Sequence, residues 1–210
     1  MNTLYLETRA LPSFGKIRHT NRQVLQNGVH VVYDIVTYGQ KALRLKAKPV
    51  ASITKEIRTL VRDMLDSMHA ARGVGLAAEQ IGREEAICVI DIPKDAEKPE
   101  CVEANAAIAM PLVMINPAIT ATSGEQRNEE GCLSFPEISV PITRPLQVTA
   151  TYTDLDGKSQ TVTACGLLAR AILHETDHLR GVLLVDRMSA LQRLSVAGKL
   201  KRLQAEAKEQ

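Results

Sequence analysis

The residues best able to do chemistry in this sequence are His174, Glu175 and His178. Residues four apart lie on one face of an α-helix, so both imidazoles can bind a single metal ion. Glu175 is adjacent and can take a proton from a water on that metal. The alternative is an ordinary surface helix that carries two histidines by chance. The spacing favours a metal-dependent hydrolase.

A third protein ligand is expected, and it must lie upstream of the two histidines. Catalytic divalent metals usually have three protein ligands and one position open to water. Peptidases with this histidine motif commonly take the third ligand from a downstream Glu or His. Here no histidine follows His178, and the next Glu is Glu206, far along a charged tail. A peptidase that cleaves internal peptide bonds is therefore disfavoured.

Cysteine is the obvious upstream ligand, and the positions of the four cysteines separate them. Cys165 precedes His174 on the same predicted helix by about 13 Å along the axis, which is too far to share an ion. Cys88 lies in an apolar run and is expected to be a buried thiol, and Cys101 lies in a polar segment without a supporting pattern. Cys132 follows a glycine, which lets the backbone approach a ligand closely. It is the favoured candidate, and a half-buried structural thiol is the alternative.

Three segments together resemble the signature motifs of one enzyme family. They are GVGLAAEQIG (73–82), EGCLS (130–134) and HETDH (174–178). In this order and at these separations they resemble the motifs of peptide deformylases, and the resemblance covers about residues 32 to 190. The resemblance implies an enzyme of protein biosynthesis that removes the formyl group from N-terminal formyl-methionine and releases formate.

The resemblance also implies a metal centre and an α+β fold. Cys132, His174 and His178 would hold Fe(II), with a water completing the tetrahedron. A thiolate with two imidazoles would equally suit zinc, so the spacing alone does not choose the metal, and nickel or cobalt could occupy purified protein. The implied fold has antiparallel strands around a central metal-binding helix, with an N-terminal helix and a C-terminal helix.

Roles for other residues follow from the matched motifs. Glu175 would be the general base and then the general acid that protonates the departing amine. Gln80 and the backbone N–H of Leu133 would stabilise the developing oxyanion, where such a donor is worth about 3 kcal/mol. Glu130 and Arg144 could pair to fix the cysteine loop, or each could be solvated. The residues expected to bind the substrate are Val74, Gly75, Glu130, Leu167, Arg170 and Ala171.

Periodicity and turn signals place these motifs on an α+β chain. An amphipathic helix is predicted from Ser52, as N-cap, to about Ala70. A second helix is predicted from about Gly166 to Leu179 with Gly181 as its C-terminal cap, and the tail from Ser189 to Lys208 is predicted to be one surface helix. Short strands are predicted at 86–91, 111–119, 146–154 and 159–164, the last two joined by a turn at Asp156-Gly157.

Composition sets the remaining limits. The chain has 210 residues, is 45% hydrophobic and carries a net charge of +2, which suits one folded domain and demands no polyanionic partner. Aromatic residues make up 3% and there is no Trp, so stacking platforms for nucleic acid are not expected. Apolar runs long enough for a signal peptide or a membrane span are absent from the sequence. A reducing cytoplasm, without a disulfide framework, is the expected setting.

Three regions are predicted along the chain: an extension (1–28) that is mobile or lies on the surface, a catalytic domain (29–188) and a charged C-terminal helix (189–210). The segment 94–110 is an unusual insert, expected to be a loop or a short helix. Basic residues of the C-terminal helix suggest weak contact with the ribosome, although a solvated face is the more ordinary explanation. Family members commonly have Gln where this chain has Leu173. A protein that binds formylated N-termini without turnover is a further alternative.

Overall fold

A computed structural model describes residues 20–25, 28–93, 96 and 99–209, which form nine strands and six α-helices. Five strands make one antiparallel sheet in the order β3-β4-β5-β8-β9, and the hairpins β1-β2 and β6-β7 lie outside it. The α+β prediction is confirmed. The strands are β1 (Thr20–Leu25), β2 (Gly28–Tyr33), β3 (Gly75–Ala77), β4 (Ile87–Ile90), β5 (Leu112–Ser123), β6 (Gln126–Gly131), β7 (Ser139–Arg144), β8 (Gln147–Thr153) and β9 (Ser159–Cys165).

The helices are of very different length, and only three exceed ten residues in the described part of the chain. Short 3₁₀ turns occupy Lys41–Arg44 and Ala78–Ile81. None of the described helices is long and apolar enough to cross a membrane. The α-helices are α1 (Lys55–Ala70), α2 (Pro99–Asn105), α3 (Gly166–His178), α4 (Leu184–Arg187), α5 (Ala190–Ser195) and α6 (Ala197–Glu209).

The central helix α3 packs against the five-stranded sheet. Its residues Leu168, Ala169 and Ile172 are buried with apolar side chains of β4, β5, β8 and β9 in the main core. Gly181 has φ +71 and its amide donates to the carbonyl of His178 at 2.8 Å, which ends the helix as the sequence predicts. The apolar side of α3 is thus fixed by the sheet, and its polar residues are left for another partner.

The polar residues of α3 face the hairpin β6-β7 and the loop that joins its two strands. The hairpin pairs Gly131 with Ser139, so the intervening loop projects from its end. Phe135 of the loop is 1% exposed and packs with Leu184 and Leu203 of the C-terminal helices in a second core. This second core holds the loop that contains Cys132.

The N-cap of helix α1 lies two residues later than predicted. Thr54 is the N-cap, and its hydroxyl accepts from the amide of Ile57, so the assignment of Ser52 was wrong. Its buried face, including Met64 and Met68, packs against β3 and β4 in a third core. The spacing of apolar residues predicted the helix correctly, because only its buried face must be apolar.

Several elements differ from the prediction. The tail is two helices, α5 and α6, separated at Val196, and Leu203 is 2% exposed, so a single surface helix was wrong. β6 and β7 were not predicted as strands. The insert at 94–110 contains a short helix, α2, which was one of the two predicted alternatives. Of the predicted extension, residues 1–19, 26 and 27 lie outside the described residues, whereas Thr20–Leu25 is strand β1.

Candidate metal centre and active site

Three donor atoms converge between α3 and the loop after β6. The Sγ of Cys132 and a ring nitrogen from each of His174 and His178 lie within 4.8 Å of one another. Sγ is 3.2 Å from Nε2 of His178. Burial lowers the pKa of His178 well below its ordinary value, which favours the neutral ring that binds metals. A thiolate and two imidazoles at these separations fit a tetrahedral divalent metal with one open position.

Glu130 fixes the first histidine of this group. Its carboxylate accepts from Nδ1 of His174 at 2.7 Å, which leaves the other ring nitrogen for the centre. Burial raises the pKa of Glu130, but hydrogen bonds from His174 and Arg144 outweigh it and hold the pKa well below its usual range. The predicted pair with Arg144 is confirmed by two hydrogen bonds of 3.0 and 2.7 Å. A carboxylate that orients a metal-binding imidazole is typical of metal centres.

The ion pairs extend away from the centre to the protein surface. Arg144 also donates to Asp177 at 2.6 Å, and Asp177 in turn accepts from the half-exposed Arg187 at 2.9 Å. Arg170 donates to Glu130 at 2.6 Å and to the carbonyl of Ile142 at 3.1 Å. The positive charges therefore surround two buried carboxylates, which would otherwise be costly to desolvate.

Glu175 lies against β3 at the edge of the centre. A Cβ added at Gly75 would collide with Oε1 of Glu175, so a larger residue there would displace this carboxyl. Burial raises the pKa of this carboxyl to about 7. Its Oε2 is buried and has no hydrogen-bond partner among the described residues. A buried carboxyl beside three metal donors has the surroundings expected of a general base.

Gln80 presents its side-chain amide to the same centre. It lies in the 3₁₀ turn after β3, where its Oε1 accepts from the amide of Ala77 at 2.9 Å. This fixes Nε2 at 3.5 Å from Sγ of Cys132 and 3.2 Å from Oγ of Ser134. Leu133 follows Cys132 directly, and its side chain lies so close to Gly73 that a Cβ there would displace it.

A cavity of about 820 Å³ opens onto these groups. Every predicted substrate-binding residue lines it, and the head groups of Arg170 and Glu130 are hydrogen-bonded to each other. The sequence did not point to Ile35 as a lining residue, because it lies in no motif. It also did not point to the segment that follows EGCLS, although its position next to that motif was a signal that it could line the cavity. The missed lining residues of that segment are Phe135, Pro136, Glu137, Ile138 and Ser139.

Comparison with known proteins decides which family this is. The polypeptide deformylase family model matches residues 32–194. The chain belongs to the polypeptide deformylase family.

Several deformylases are similar to it over most of their length. A peptide deformylase of Synechococcus sp. (strain RCC307) is 47% identical over 171 residues, covering 80% of this chain and 79% of that protein. One from Nitrosococcus oceani is 41% identical and covers 82% and 96%. The crystal structure of peptide deformylase from Ehrlichia chaffeensis has a TM-score of 0.74 at 36% identity, covering 81% and 96%. The chain is accordingly an enzyme of a metal-dependent hydrolase family.

Leu173, which stands where family members commonly have Gln, and the segment GQKALR (39–44) both lie at positions with structural contacts. Leu173 packs against the main apolar core. In GQKALR, Leu43 is fully buried, and Arg44 donates to the carbonyl of Gly181 at 3.2 Å and pairs with Asp186. That segment therefore secures the chain just beyond the C-terminal end of α3.

Proposed function

We propose that this deformylase removes the formyl group from formyl-methionyl nascent polypeptides and releases formate. The observation that carries the proposal is the meeting of three metal donors, a buried carboxyl and a side-chain amide beside a single cavity. Water supplies the oxygen, the formamide C–N bond breaks, and the products are formate and a free amine. This chemistry implies a cytoplasmic enzyme that acts on newly translated polypeptides.

Cys132, His174 and His178 would hold the metal, which we propose to be Fe(II). When bound, the metal supplies a Lewis acid and makes hydroxide available near neutral pH. Glu130 keeps His174 in one orientation through its 2.7 Å hydrogen bond. If iron is the native metal, activity should decline in air as iron and its thiolate oxidise. Full activity after prolonged aerobic handling would favour zinc, nickel or cobalt.

Glu175 and Gln80 have complementary roles in this mechanism. The carboxylate of Glu175 takes the proton of the attacking water and later delivers it to the departing amine. The Nε2 group of Gln80 and the backbone N–H of Leu133 donate to the formyl oxygen, where negative charge develops only in the transition state. Because Gln80 is already fixed by Ala77, it need not reorganise during the reaction.

The cavity suits an extended peptide that begins with methionine. Val74 is 41% exposed at its edge, and the backbone of β3 could pair with a peptide strand. Leu167 and Ala171, one turn apart on α3, would enclose the unbranched methionine side chain. The carboxylate of Glu130 and the guanidinium of Arg170 neutralise each other, so this part of the cavity suits an uncharged group.

Formate release from formyl-Met-Ala-Ser by anaerobically prepared, iron-loaded protein tests the function. The same peptide with an acetyl group, and casein, are the matched controls for formyl and for internal peptide bonds. We expect rapid release of formate and no cleavage of either control. Binding of the formyl peptide without turnover, by folded and metal-replete protein, would instead indicate a binding protein.

Contact with the ribosome through the C-terminal helix stays a prediction. Lys199 donates to the carbonyl of Glu137 at 2.6 Å, and Arg202 pairs with the side chain of the same residue at 2.8 Å. The attraction to the ribosome would therefore have to come from other basic residues of the C-terminal helix. Salt-dependent cosedimentation with ribosomes that disappears in a variant lacking residues 195–210 would support the contact, and unchanged binding would refute it.

A further inference from the structure

The N-cap of the metal-binding helix is held by contacts that the deformylation mechanism does not use. Cys165 is the N-cap of α3, and its side chain makes no capping hydrogen bond. Asn105 of α2 makes the contacts instead. Its Oδ1 accepts from the amide of Cys165 and its Nδ2 donates to the carbonyl of Cys165, both at 3.0 Å. These two bonds satisfy the backbone groups of Cys165 at the end of β9, the outermost strand of the main sheet.

A covalent bond reinforces this attachment. Cys101 of α2 and Cys165 form a disulfide with a Cα–Cα distance of 5.3 Å, across 64 residues of sequence. Both cysteines are buried, with exposures of 0% and 5%. The expectation that the chain has no disulfide was therefore wrong for Cys101 and Cys165. Cys88 and Cys132 remain free, as expected for a core thiol and a metal ligand.

This attachment is close to the part of α3 that would enclose methionine. Leu167 follows Cys165 by two residues, and both it and Ala171 line the cavity. On the other side of the chain, Nε2 of Gln126 donates to the carbonyl of Gly166 at 2.7 Å. The start of α3 is therefore held between Gln126 and α2. Freeing one side would leave Leu167 less well fixed.

We propose that Cys101 and Cys165 form a thiol–disulfide switch that sets the affinity of the enzyme for the methionyl end of its substrate. The proposal rests on the proposed function. In the oxidised state α2 and the start of α3 are fixed and the cavity wall is preorganised. In the reduced state the covalent link between α2 and the start of α3 is lost while the hydrogen bonds of Asn105 remain, and substrate binding weakens. His174 is about 10 Å further along the helix than Leu167, so turnover of bound substrate is retained.

The switching reaction is thiol–disulfide exchange with a low-molecular-weight disulfide such as oxidised glutathione. One cysteine thiolate attacks the small disulfide and displaces one small thiol. The second cysteine then attacks the mixed disulfide, which forms the protein S–S bond and displaces the other small thiol. Two electrons and two protons pass from the cysteines to the small disulfide. Reduction by an excess of the small thiol is the reverse.

Iron-loaded protein poised anaerobically in glutathione buffers tests the switch. Alkylation followed by mass spectrometry gives the state of Cys101 and Cys165, and metal content is measured in each sample. We expect KM for formyl-Met-Ala-Ser to rise about fivefold on reduction with kcat unchanged, because only preorganisation of the pocket is lost. Hydrogen exchange of residues 166–171 should accelerate in the same samples.

Substitutions of α2 sharpen the test. C101S should show the higher KM in every buffer, whereas V102S, at the exposed neighbouring position, should respond to glutathione as the wild type does. Complete alkylation of both cysteines in every buffer, or equal KM and equal exchange in both redox states, would overturn the switch. If neither state hydrolyses the peptide, the proposed function fails, and hydrogen exchange still reports whether the disulfide fixes α3.

Discussion

The two halves of α3 are fixed by different forces. The half with His174 and His178 is fixed by buried charges, since Glu130, Asp177, Arg144 and their hydrogen bonds surround it. The half from Cys165 to Ala171 is fixed mainly by apolar packing, by Asn105 and by a disulfide, and Arg170 links it to the buried charges through Glu130. The first half determines where the metal donors lie, and the second shapes the cavity. Substitutions in the first half should therefore change turnover, and those in the second should change substrate affinity.

Loss of the thiolate donor should have the largest effect on the metal half. Cys132→Ala leaves two imidazoles and removes the charged donor, so we expect metal affinity and kcat to fall by more than about 100-fold. Metal content after dialysis and formate release measure both. Cys88→Ala, which changes a free thiol outside the donor set, is the matched control. Retention of a stoichiometric metal by Cys132→Ala would exclude Cys132 as a ligand.

Removing the charge of Glu130 should weaken both metal binding and the fold. Glu130→Gln leaves Arg144 and Arg170 without their shared carboxylate, at a cost of about 3–5 kcal/mol in the free energy of unfolding. Release of His174 should lower metal affinity about 10- to 100-fold. Urea unfolding and a metal competition assay test these effects. If Glu129→Gln, beside it on β6, has an equal effect, the assignment to the buried network is incorrect.

A methyl group at Gly75 should displace the proposed base while sparing the metal. Gly75→Ala places a Cβ against Oε1 of Glu175, and a misplaced catalytic group of this kind costs about 100-fold in rate. We expect kcat to fall with metal content unchanged. Gly198→Ala is the control, because a Cβ there meets no atom within 4 Å. Unaltered kcat in Gly75→Ala would show that Glu175 can move aside without consequence.

A larger side chain in the cavity half should affect affinity instead of turnover. Ala171→Leu narrows the space proposed for methionine, and we expect KM to rise about tenfold with little change in kcat. Steady-state kinetics with formyl-Met and formyl-Ala peptides would detect the change. The comparison between the two halves would break down if kcat fell while KM stayed constant.

The smallest effect is expected at the rim of the cavity, where α6 contacts Glu137. Arg202→Ala removes an ion pair between two exposed side chains, which solvent screens, so KM should change less than about twofold. A much larger change in KM, measured with the same peptide, would give the C-terminal helix a direct part in substrate binding.

The sequence predicted the residues of the metal centre better than the strands and the disulfide around it. Two histidines on one helical face, and a cysteine after a glycine, follow from local spacing and motif. β6 was missed because its buried residues, Gln126 and Glu130, are polar, so no apolar alternation marks the strand. The bond between Cys101 and Cys165 joins positions 64 residues apart, and no local pattern predicts which cysteines meet. Contacts that depend on tertiary packing could not be predicted from the sequence.

The most direct test of the proposed chemistry is Glu175→Gln, compared with Glu125→Gln on the exposed turn after β5. Glutamine keeps the shape of the side chain but cannot take the proton of the attacking water. We predict that kcat for formyl-Met-Ala-Ser falls about 1000-fold in Glu175→Gln, while metal content and KM stay near those of the wild type. Undiminished kcat in a metal-replete Glu175→Gln enzyme would contradict the role of Glu175 and the mechanism built on it.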